Sequence, residues 1–563
     1  MRDRASESDP ARLWKSIGIG GLVVIGTLYL ALALSSAQRK SITVDELGHL
    51  PSGFYYLKTG DPRYSSLNPP LIDVLSAVPV LFLDLAVDPS PPPASDDPFS
   101  FWSAGYHFMM LHRADYLRVY AHARWIPILI VVGLAVLLFA WARELAPQAP
   151  DAAGLLAAGL VCLSPNVIAQ ARLVGTDTGT AFFVALALWS FRGMLRRPTC
   201  VRALACGLAL GLAQLAKFYA LLLYPVMLGV TFGWYLLSPA ARPPLRRLLA
   251  SLAGALCVSL LVLNTGYLWH EFGASLSDLS LRSSALQAWR STPLGGLPLP
   301  LPAAYVRAFD GQLFEVDSAL PSFLLGETFE GGRWDYYLAV LAIKTPLPLF
   351  LTFGLALAFC LARPRLPARE LLLLAGYPLL LFLVLSLSDQ RQLGARALLS
   401  AVPLVQLWVA TTLARSWPKR WPLCLAGAAL AWTTVDALRI HPDYLAYFNP
   451  LVGGSERGYL YASDANVDIG QDLVQLADYL HAEGIDSVQL LYFGSVDPAL
   501  YGIDYEVPTG AFRPGLLAVS VTLYRMAYPM FDHGVLRIVG PVSAPGTPLA
   551  SIGGSIHVYR IAR

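Results

Sequence analysis

The side chains most able to do chemistry in this sequence are acids and cations set against apolar runs. Asp45 and Glu46 stand together in Thr43-Val-Asp-Glu-Leu-Gly-His49, directly after the first such run. A carboxylate at the edge of a hydrophobic layer is poorly hydrated, which makes it a better base or metal ligand. The same pair also suits the first turn of a helix, where acidic residues meet the positive end of the dipole. Asp177 lies in Arg172-Leu-Val-Gly-Thr-Asp-Thr-Gly179, a short turn between two apolar runs. There it either converges on Asp45 at the mouth of a bundle or caps the following helix.

The cations are harder to dismiss. Lys217 interrupts Gln214-Leu-Ala-Lys-Phe-Tyr219, and Lys344 sits in Ala342-Ile-Lys-Thr-Pro-Leu-Pro348. Arg391 and Arg396 lie in Asp389-Gln-Arg-Gln-Leu-Gly-Ala-Arg396. A charge within a membrane span costs about 2.5 to 3.5 kcal/mol even on the lenient insertion scale. Positive groups at that depth suit a lipid phosphate; the plainer alternative is that the lysines snorkel and the arginines meet water.

The elements that must hold these groups are long apolar segments. Of 563 residues, 55% are hydrophobic and only 14% charged, far from the usage of soluble domains. Apolar runs occupy 17–36, 125–141, 152–169, 178–191, 201–215, 219–237, 248–269, 336–362, 371–387, 397–414 and 421–435. Since a span needs roughly 20 apolar residues, they predict a polytopic α-helical membrane protein of about 11 transmembrane helices. Arg2, Arg4, Arg12 and Lys15 precede the first run and no convincing small-residue cleavage site follows it, so it reads as a retained span. Basic residues cluster in four short loops: Arg192, Arg196, Arg197 and Arg202; Arg242, Arg246 and Arg247; Arg363, Arg365 and Arg369; Arg415, Lys419 and Arg420. With the N-terminus inside, all four face the cytoplasm and the C-terminus lies outside.

On this reading residues 1–443 form the transmembrane part, with exterior loops at 38–124 and 270–335. The apolar stretch 71–85 is short and broken by Asp73, Pro79 and Asp84, as expected of a juxtamembrane helix on the surface. Residues 444–563 lose the long apolar runs and predict a small exterior α/β domain. Its helix is expected at 471–481, with strands at 487–493, 516–523, 535–539 and 555–561.

A net charge of +3 spread along the chain implies no nucleic-acid surface. No phosphate-cradling glycine loop and no His-Glu-x-x-His or Cys-x-x-Cys site is present, and the short inner loops cannot form a nucleotide-sugar domain. The cysteines, Cys162, Cys200, Cys206, Cys257, Cys360 and Cys424, show neither metal nor disulfide spacing and read as small buried hydrophobes.

Taken in order, several pieces resemble the polyprenol-phosphate-dependent C-type glycosyltransferases, the group holding protein O-mannosyltransferases and lipid A aminoarabinose transferases. They are Asp45-Glu46 with His49, Gly60-Asp61, Asn68-Pro-Pro-Leu71, Thr176-Asp177, Gly211-Leu-Ala-Gln-Leu-Ala-Lys217, Lys344-Thr-Pro-Leu-Pro348, and Tyr447-Phe-Asn-Pro450 through Ser463-Asp-Ala-Asn-Val-Asp-Ile-Gly-Gln-Asp472. Ala465 and Ile469 replace the family's usual Ser and Trp, and Asn68 stands where His is frequent, so one member's substrate does not carry over.

The resemblance implies an inverting transfer, on the extracytoplasmic face of the cell membrane, from a polyprenyl-phosphate sugar to the hydroxyl of a protein, glycolipid or polysaccharide. Asp45 would be the base, with Glu46 and Asp177 as further catalytic carboxylates. His49, Lys217, Lys344, Arg391 and Arg396 would bind substrate, the cations facing the leaving phosphate. A divalent ion on Asp45 and Asp177 is the one cofactor implied; orientation of the acceptor is the other role open to Glu46 and Asp177. A transporter or flippase binding lipid-linked sugars without reacting them is the competing expectation.

Overall fold

The computed structural model describes residues 10–562 apart from 96, 98–99, 238–241, 318–320, 363–365, 417 and 533–534. Arg2, Arg4, Arg363 and Arg365, assigned above to the inner side, lie outside the described residues, as do the side chains of Arg12 and Lys15.

Each of the eleven apolar runs contains helix, yet they are not eleven equal spans. Among the described residues seven helices are long and apolar enough to cross a bilayer: Gly18–Arg39, Tyr116–Leu145, Asp177–Arg196, Phe218–Leu237, Leu245–Gly266, Ala368–Ser388 and Trp421–Ile440. Two more runs are bent pairs, Pro150–Cys162 with Pro165–Ala171 at 62° and Tyr336–Lys344 with Leu347–Ala362 at 114°. The last two, Cys200–Ala216 and Val402–Ala414, are shorter apolar helices. Among the described residues these make seven candidate spans, or nine with each bent pair taken as one, and the expected count of about eleven requires the two shorter helices as well, so composition alone does not grade the runs. The physical reason is that apolar composition does not reveal where a helix breaks: Pro165 and Pro346 follow residues that proline steers out of the helical region. The chain is a multi-pass helical membrane protein.

The two ends of the bundle differ in charge. Arg192 bridges Glu370 at 2.7 Å and Glu144 at 2.6 Å, Arg196 reaches Glu370 at 2.9 Å, and Arg415 donates to the Leu145 carbonyl. Two of the predicted basic loops thus send residues to one end, where Arg192 and Arg196 meet Glu370, the neighbour of Arg369 in a third. Helix Asp177–Arg196 runs from there to the opposite end, about 30 Å away at 1.5 Å per residue. Of the cysteines, Cys162 and Cys206 are buried, while Cys200, Cys257 and Cys424 face outward. Buried packing therefore accounts for only part of that set.

At the far end the loop after the first span forms helix Val44–Thr59, packed on Leu71–Ala77 and Ser100–Leu111. The approach is backbone to backbone. A Cβ at Gly53 would lie 2.1 Å from the Asp73 carbonyl oxygen, and one at Gly105 would lie 2.3 Å from that of Leu47. The segment expected on the surface at 71–85 is helical over Leu71–Ala77, then a 3₁₀ turn over Val78–Phe82.

A hairpin of β1 (Ser322–Leu324) and β2 (Glu327–Phe329) decorates the second long loop. The C-terminal part is a five-stranded mixed sheet of β3 (Val488–Leu491), β4 (Tyr505–Glu506), β5 (Gly515–Ser520), β8 (Ala550–Ile552) and β9 (Ile556–Ile561), in the order β4-β3-β5-β9-β8. The pairs β3·β4 and β3·β5 are parallel, whereas β5·β9 and β8·β9 are antiparallel. A separate ribbon joins β6 (Tyr528–Asp532) to β7 (Val535–Val539). Helix Leu473–Ala482 places Leu473, Leu476 and Leu480 in this domain's own apolar core. Three expected strands meet in the sheet; the one at 535–539 pairs outside it.

Candidate active site

Helix Val44–Thr59 begins at Thr43, whose backbone N–H and hydroxyl both donate to the Glu46 carboxylate, at 3.0 and 3.1 Å. The Glu46 carboxylate also accepts from Arg124 at 2.6 and 2.8 Å and from the Val174 N–H at 3.0 Å. It is fully buried, its hydrogen-bonding capacity used in fixing the helix start. Successive helical side chains diverge by about 100°, so Asp45 points elsewhere. Its carboxylate is 27% exposed and ion-paired with Arg396. Arg396 stands in the 3₁₀ turn Ala395–Leu398, entered through Gly394 at φ 89°, a conformation glycine adopts without steric cost.

A second ion pair lies beside the first. Lys217 Nζ donates to Asp177 at 2.6 Å and sits 5.1 Å from the centre of the Tyr219 ring. Lys217 occupies an extended break between helix Cys200–Ala216 and the turn Phe218–Leu222. The Lys217 charge acts on both Asp45 and His49, and that of Asp177 on Arg396, so the pairs share one electrostatic site. His49 Nδ1 is 2.9 Å from Asp73, while Arg391 bridges Glu315.

These surroundings tune the acids differently. Burial alone would raise the Asp45 carboxyl, but the Arg396 guanidinium, with His49 and Lys217, overrides it and holds Asp45 below the ordinary carboxylate value. His49 is opposed by burial and raised overall by Asp73 and Asp45. Burial pushes Asp464 up to about 6, with the Asp45 charge adding to the rise and Arg396 opposing it.

Asp464 and Asn466 are the site residues that sequence reasoning missed. The motif holding them was legible, and nothing in it signalled that it builds this site. Asn466 Oδ1 accepts from the Ala395 N–H at 3.1 Å, bracing the turn that carries Arg396. The same motif holds the start of helix Val44–Thr59: Ser41 N–H donates to the Gln471 carbonyl at 2.8 Å and Val44 N–H to that of Ile469 at 3.1 Å. Asp45, Asp177, Lys217, Arg396 and His49 are brought together, with Arg391 at the edge. Glu46 and Lys344 are not. The Lys344 ammonium is buried, donates to the carbonyls of Leu445 and Asn466 at 2.7 Å each, and lies 4.4 Å from the Phe448 ring centre.

Asp45 and Asp177, expected to hold a divalent ion, are each engaged by a cationic side chain. Among the described residues no group of three or more His, Cys, Asp or Glu stands ready to ligate a metal. As arranged, this donor set does not fit a divalent ion. A pocket of about 580 Å³ on the C-terminal domain, lined by Val507, Phe512, Arg537 and Val542 among others, shares no residue with the acid–cation cluster.

Comparison with known proteins gives several likenesses. The lipid A galacturonosyltransferase RgtD of Rhizobium johnstonii is 34% identical over 111 residues, which are 20% of this chain and 22% of the relative, so the match spans about a fifth of that protein's length. The solved structure of ArnT from Cupriavidus metallidurans bound to undecaprenyl phosphate shares 14% identity, covering 94% of this chain and 99% of that one with a TM-score of 0.47. The Archaeoglobus fulgidus oligosaccharyltransferase in complex with Zn and sulfate shares 13% identity over 82% of this chain and 55% of that one, with a TM-score of 0.48. Residues 118–269, the stretch that contributes Asp177 and Lys217 to the site, match the family described as dolichyl-phosphate-mannose-protein mannosyltransferase, in line with the group that the motifs resemble.

Proposed function

We propose that this protein is an inverting glycosyltransferase of the C-type group. It moves a sugar from a polyprenyl-phosphate carrier to an acceptor hydroxyl on the extracytoplasmic face of the cell membrane. The observation that carries the reading is the acid–cation cluster of Asp45, Arg396, Lys217 and Asp177 at the end of the bundle opposite the Arg192, Arg196 and Arg415 loops. Basic loops favour the cytoplasmic side, which supports an extracytoplasmic position for this cluster. The residues 118–269 that match the mannosyltransferase family and the partial likeness to a lipid A galacturonosyltransferase support the same chemistry.

In the proposed reaction Asp45 takes the proton of the acceptor hydroxyl as its oxygen bonds to the anomeric carbon. The bond from that carbon to the phosphate oxygen breaks, and its electron pair leaves with the lipid phosphate. Arg396 and Lys217 neutralise the phosphate as its negative charge grows, an interaction worth most in a partly dry site. When the donor is not bound, Asp45 and Asp177 occupy these cations. An incoming phosphate competes for them, and drawing Arg396 toward itself makes Asp45 more basic as the donor arrives.

Incubation of the purified full-length chain with a panel of polyprenyl-phosphate sugars and an envelope extract, read by mass analysis, tests the proposal. Consumption of a donor with appearance of a glycosylated product supports it. Binding of donor without consumption points to the transporter reading instead.

A further inference from the structure

The second exterior loop begins where helix Leu245–Gly266 ends, and its backbone is strained at once. Leu268, Trp269 and Glu271 have φ of 52°, 57° and 48°, a left-handed region that residues other than glycine enter at a cost. The turn is braced, since the Leu268 and Trp269 N–H groups donate to the carbonyls of Thr265 and Asn264 at 3.0 and 2.8 Å. What it presents is apolar. Leu268, Trp269 and Phe272 face outward, the two rings edge to face with centroids 5.2 Å apart.

Further along, the loop folds around a small core of its own, in which Leu276, Leu279 and Leu281 pack with Ala303 and Val306. Trp289, Leu294 and Leu297 are left out of that core. Helix Ser284–Arg290 carries the first and the turn Pro293–Gly296 the second, with Leu297 directly after it. The turn lies tight against the helix end: a Cβ at Gly295 would stand 2.3 Å from the Arg290 carbonyl oxygen. Two backbone bonds return this segment to the exit of the span, Leu299 N–H to the Ala274 carbonyl and Ala303 N–H to that of His270, at 3.2 Å each. Leu268, Trp269, Phe272, Trp289, Leu294 and Leu297 are 45% to 70% exposed, and from Ser283 to Pro300 the one charged residue is Arg290.

Six such side chains on one loop are more than the scattered apolar residues of an ordinary wet surface. They also continue a surface that already meets lipid, because Leu249, Leu256 and Leu261 face outward along the span that leads into them. Tryptophan just beyond the end of a span sits at headgroup level, with its ring toward the chains.

We propose that residues 268–297 form an interfacial anchor, seated in the phospholipid leaflet at this end of the bundle with its Trp, Phe and Leu side chains at the boundary between headgroups and acyl chains. The anchor is joined to the acid–cation cluster. Helix Ala303–Asp317 follows it, and the Tyr305 and Phe309 rings of that helix pack on Phe218 with centroids 5.1 and 5.3 Å away. The Tyr305 hydroxyl donates to Gln214 Oε1 at 3.2 Å, and Phe218 adjoins Lys217. The leaflet thereby holds this helix beside the break that carries Lys217. The assignment stands on the span and the loop, and does not need the transferase reading.

The test uses the full-length chain in nanodiscs of phosphatidylcholine with plain or brominated acyl chains. Subtracting the fluorescence of Trp289→Phe from that of wild type isolates the Trp289 emission. Brominated chains are expected to cut this emission by a third or more, and any smaller fall overturns the proposal. The same subtraction in a Leu294→Glu, Leu297→Glu background is expected to show at most half the wild-type quenching, since two carboxylates lift the segment from the leaflet. Undiminished quenching in a folded protein of that background overturns the part given to Leu294 and Leu297; should that background not fold, the comparison with Trp289→Phe decides by itself. Association of wild type into a dimer that Leu294→Glu dissolves, with Trp289 unquenched, assigns the face to a second copy and overturns the anchor. Donor consumption is read separately, so failure here leaves the transferase reading standing.

Discussion

The Asp45 carboxylate is held by the Arg396 guanidinium across 351 residues of sequence, and this one ion pair brings the helix after the first span to the turn before the short helix Val402–Ala414. Neither residue alone marks a site. Together they set a carboxylate beside a guanidinium, the pairing on which the proposed base and phosphate-binding roles rest.

Asp45→Asn keeps the shape of the side chain and removes the proposed base. Transfer is expected to fall by about 10² to 10⁴, the usual worth of general-base catalysis. Abundance and melting temperature in detergent stay near wild type, because Asp45 is partly exposed. Wild-type turnover in the purified variant would exclude Asp45 as the base.

Its neighbour is expected to behave in the opposite way. Glu46→Gln leaves the buried Arg124 guanidinium without its counter-charge, a change that costs about 3 to 5 kcal/mol. A marked fall in melting temperature is the expected readout. Unchanged stability with lost turnover would instead return Glu46 to the chemistry.

The lysines divide likewise. Lys217→Ala is expected to raise the donor KM and weaken undecaprenyl-phosphate binding by tenfold or more. Lys344→Met is expected to leave donor binding alone and reduce turnover and stability, since Lys344 anchors the loop of Asp464 and Asn466. Equal donor defects in the two variants would refute this division.

The raised Asp464 carboxyl gives a pH signature. Burial, with the Asp45 charge adding and Arg396 opposing, puts it at about 6 in the folded protein against an ordinary value of about 3.9. The folded state thus favours protonated Asp464, and the stability this contributes is full below the ordinary value and lost as pH rises through about 6. Asp464→Asn is therefore expected to raise the melting temperature at pH 8 relative to wild type, the gain shrinking toward pH 5. Asp45, held low, stays ionised across this window. Melting curves at four or five pH values decide it; a gain independent of pH would count against the assignment.

With both candidate ligands engaged by cations, transfer is expected to survive a chelator. A tenfold loss in EDTA, restored by added divalent ion, would show that the carboxylates exchange their partners for a metal.

Apolar run length by itself determined that the chain is a polytopic helical membrane protein, because the need to satisfy backbone groups in lipid leaves a helix as the solution for each run. The change of composition after residue 444 likewise forecast the C-terminal sheet, and intramembrane charge singled out Lys217 and Lys344. Only the tertiary structure decided what those charges do. Asp45 and Glu46 are indistinguishable as letters, and the turn of the helix sends one to the cluster and buries the other against Arg124. Lys217 and Lys344 look alike in sequence, yet one meets a carboxylate at a helix break and the other meets two carbonyls in the interior. The motif of Asp464 and Asn466 could be read, but its contact with the Arg396 turn could not, because that depends on a left-handed backbone at Asp464 (φ 54°) and on segments far away in the chain, and neither leaves a local pattern.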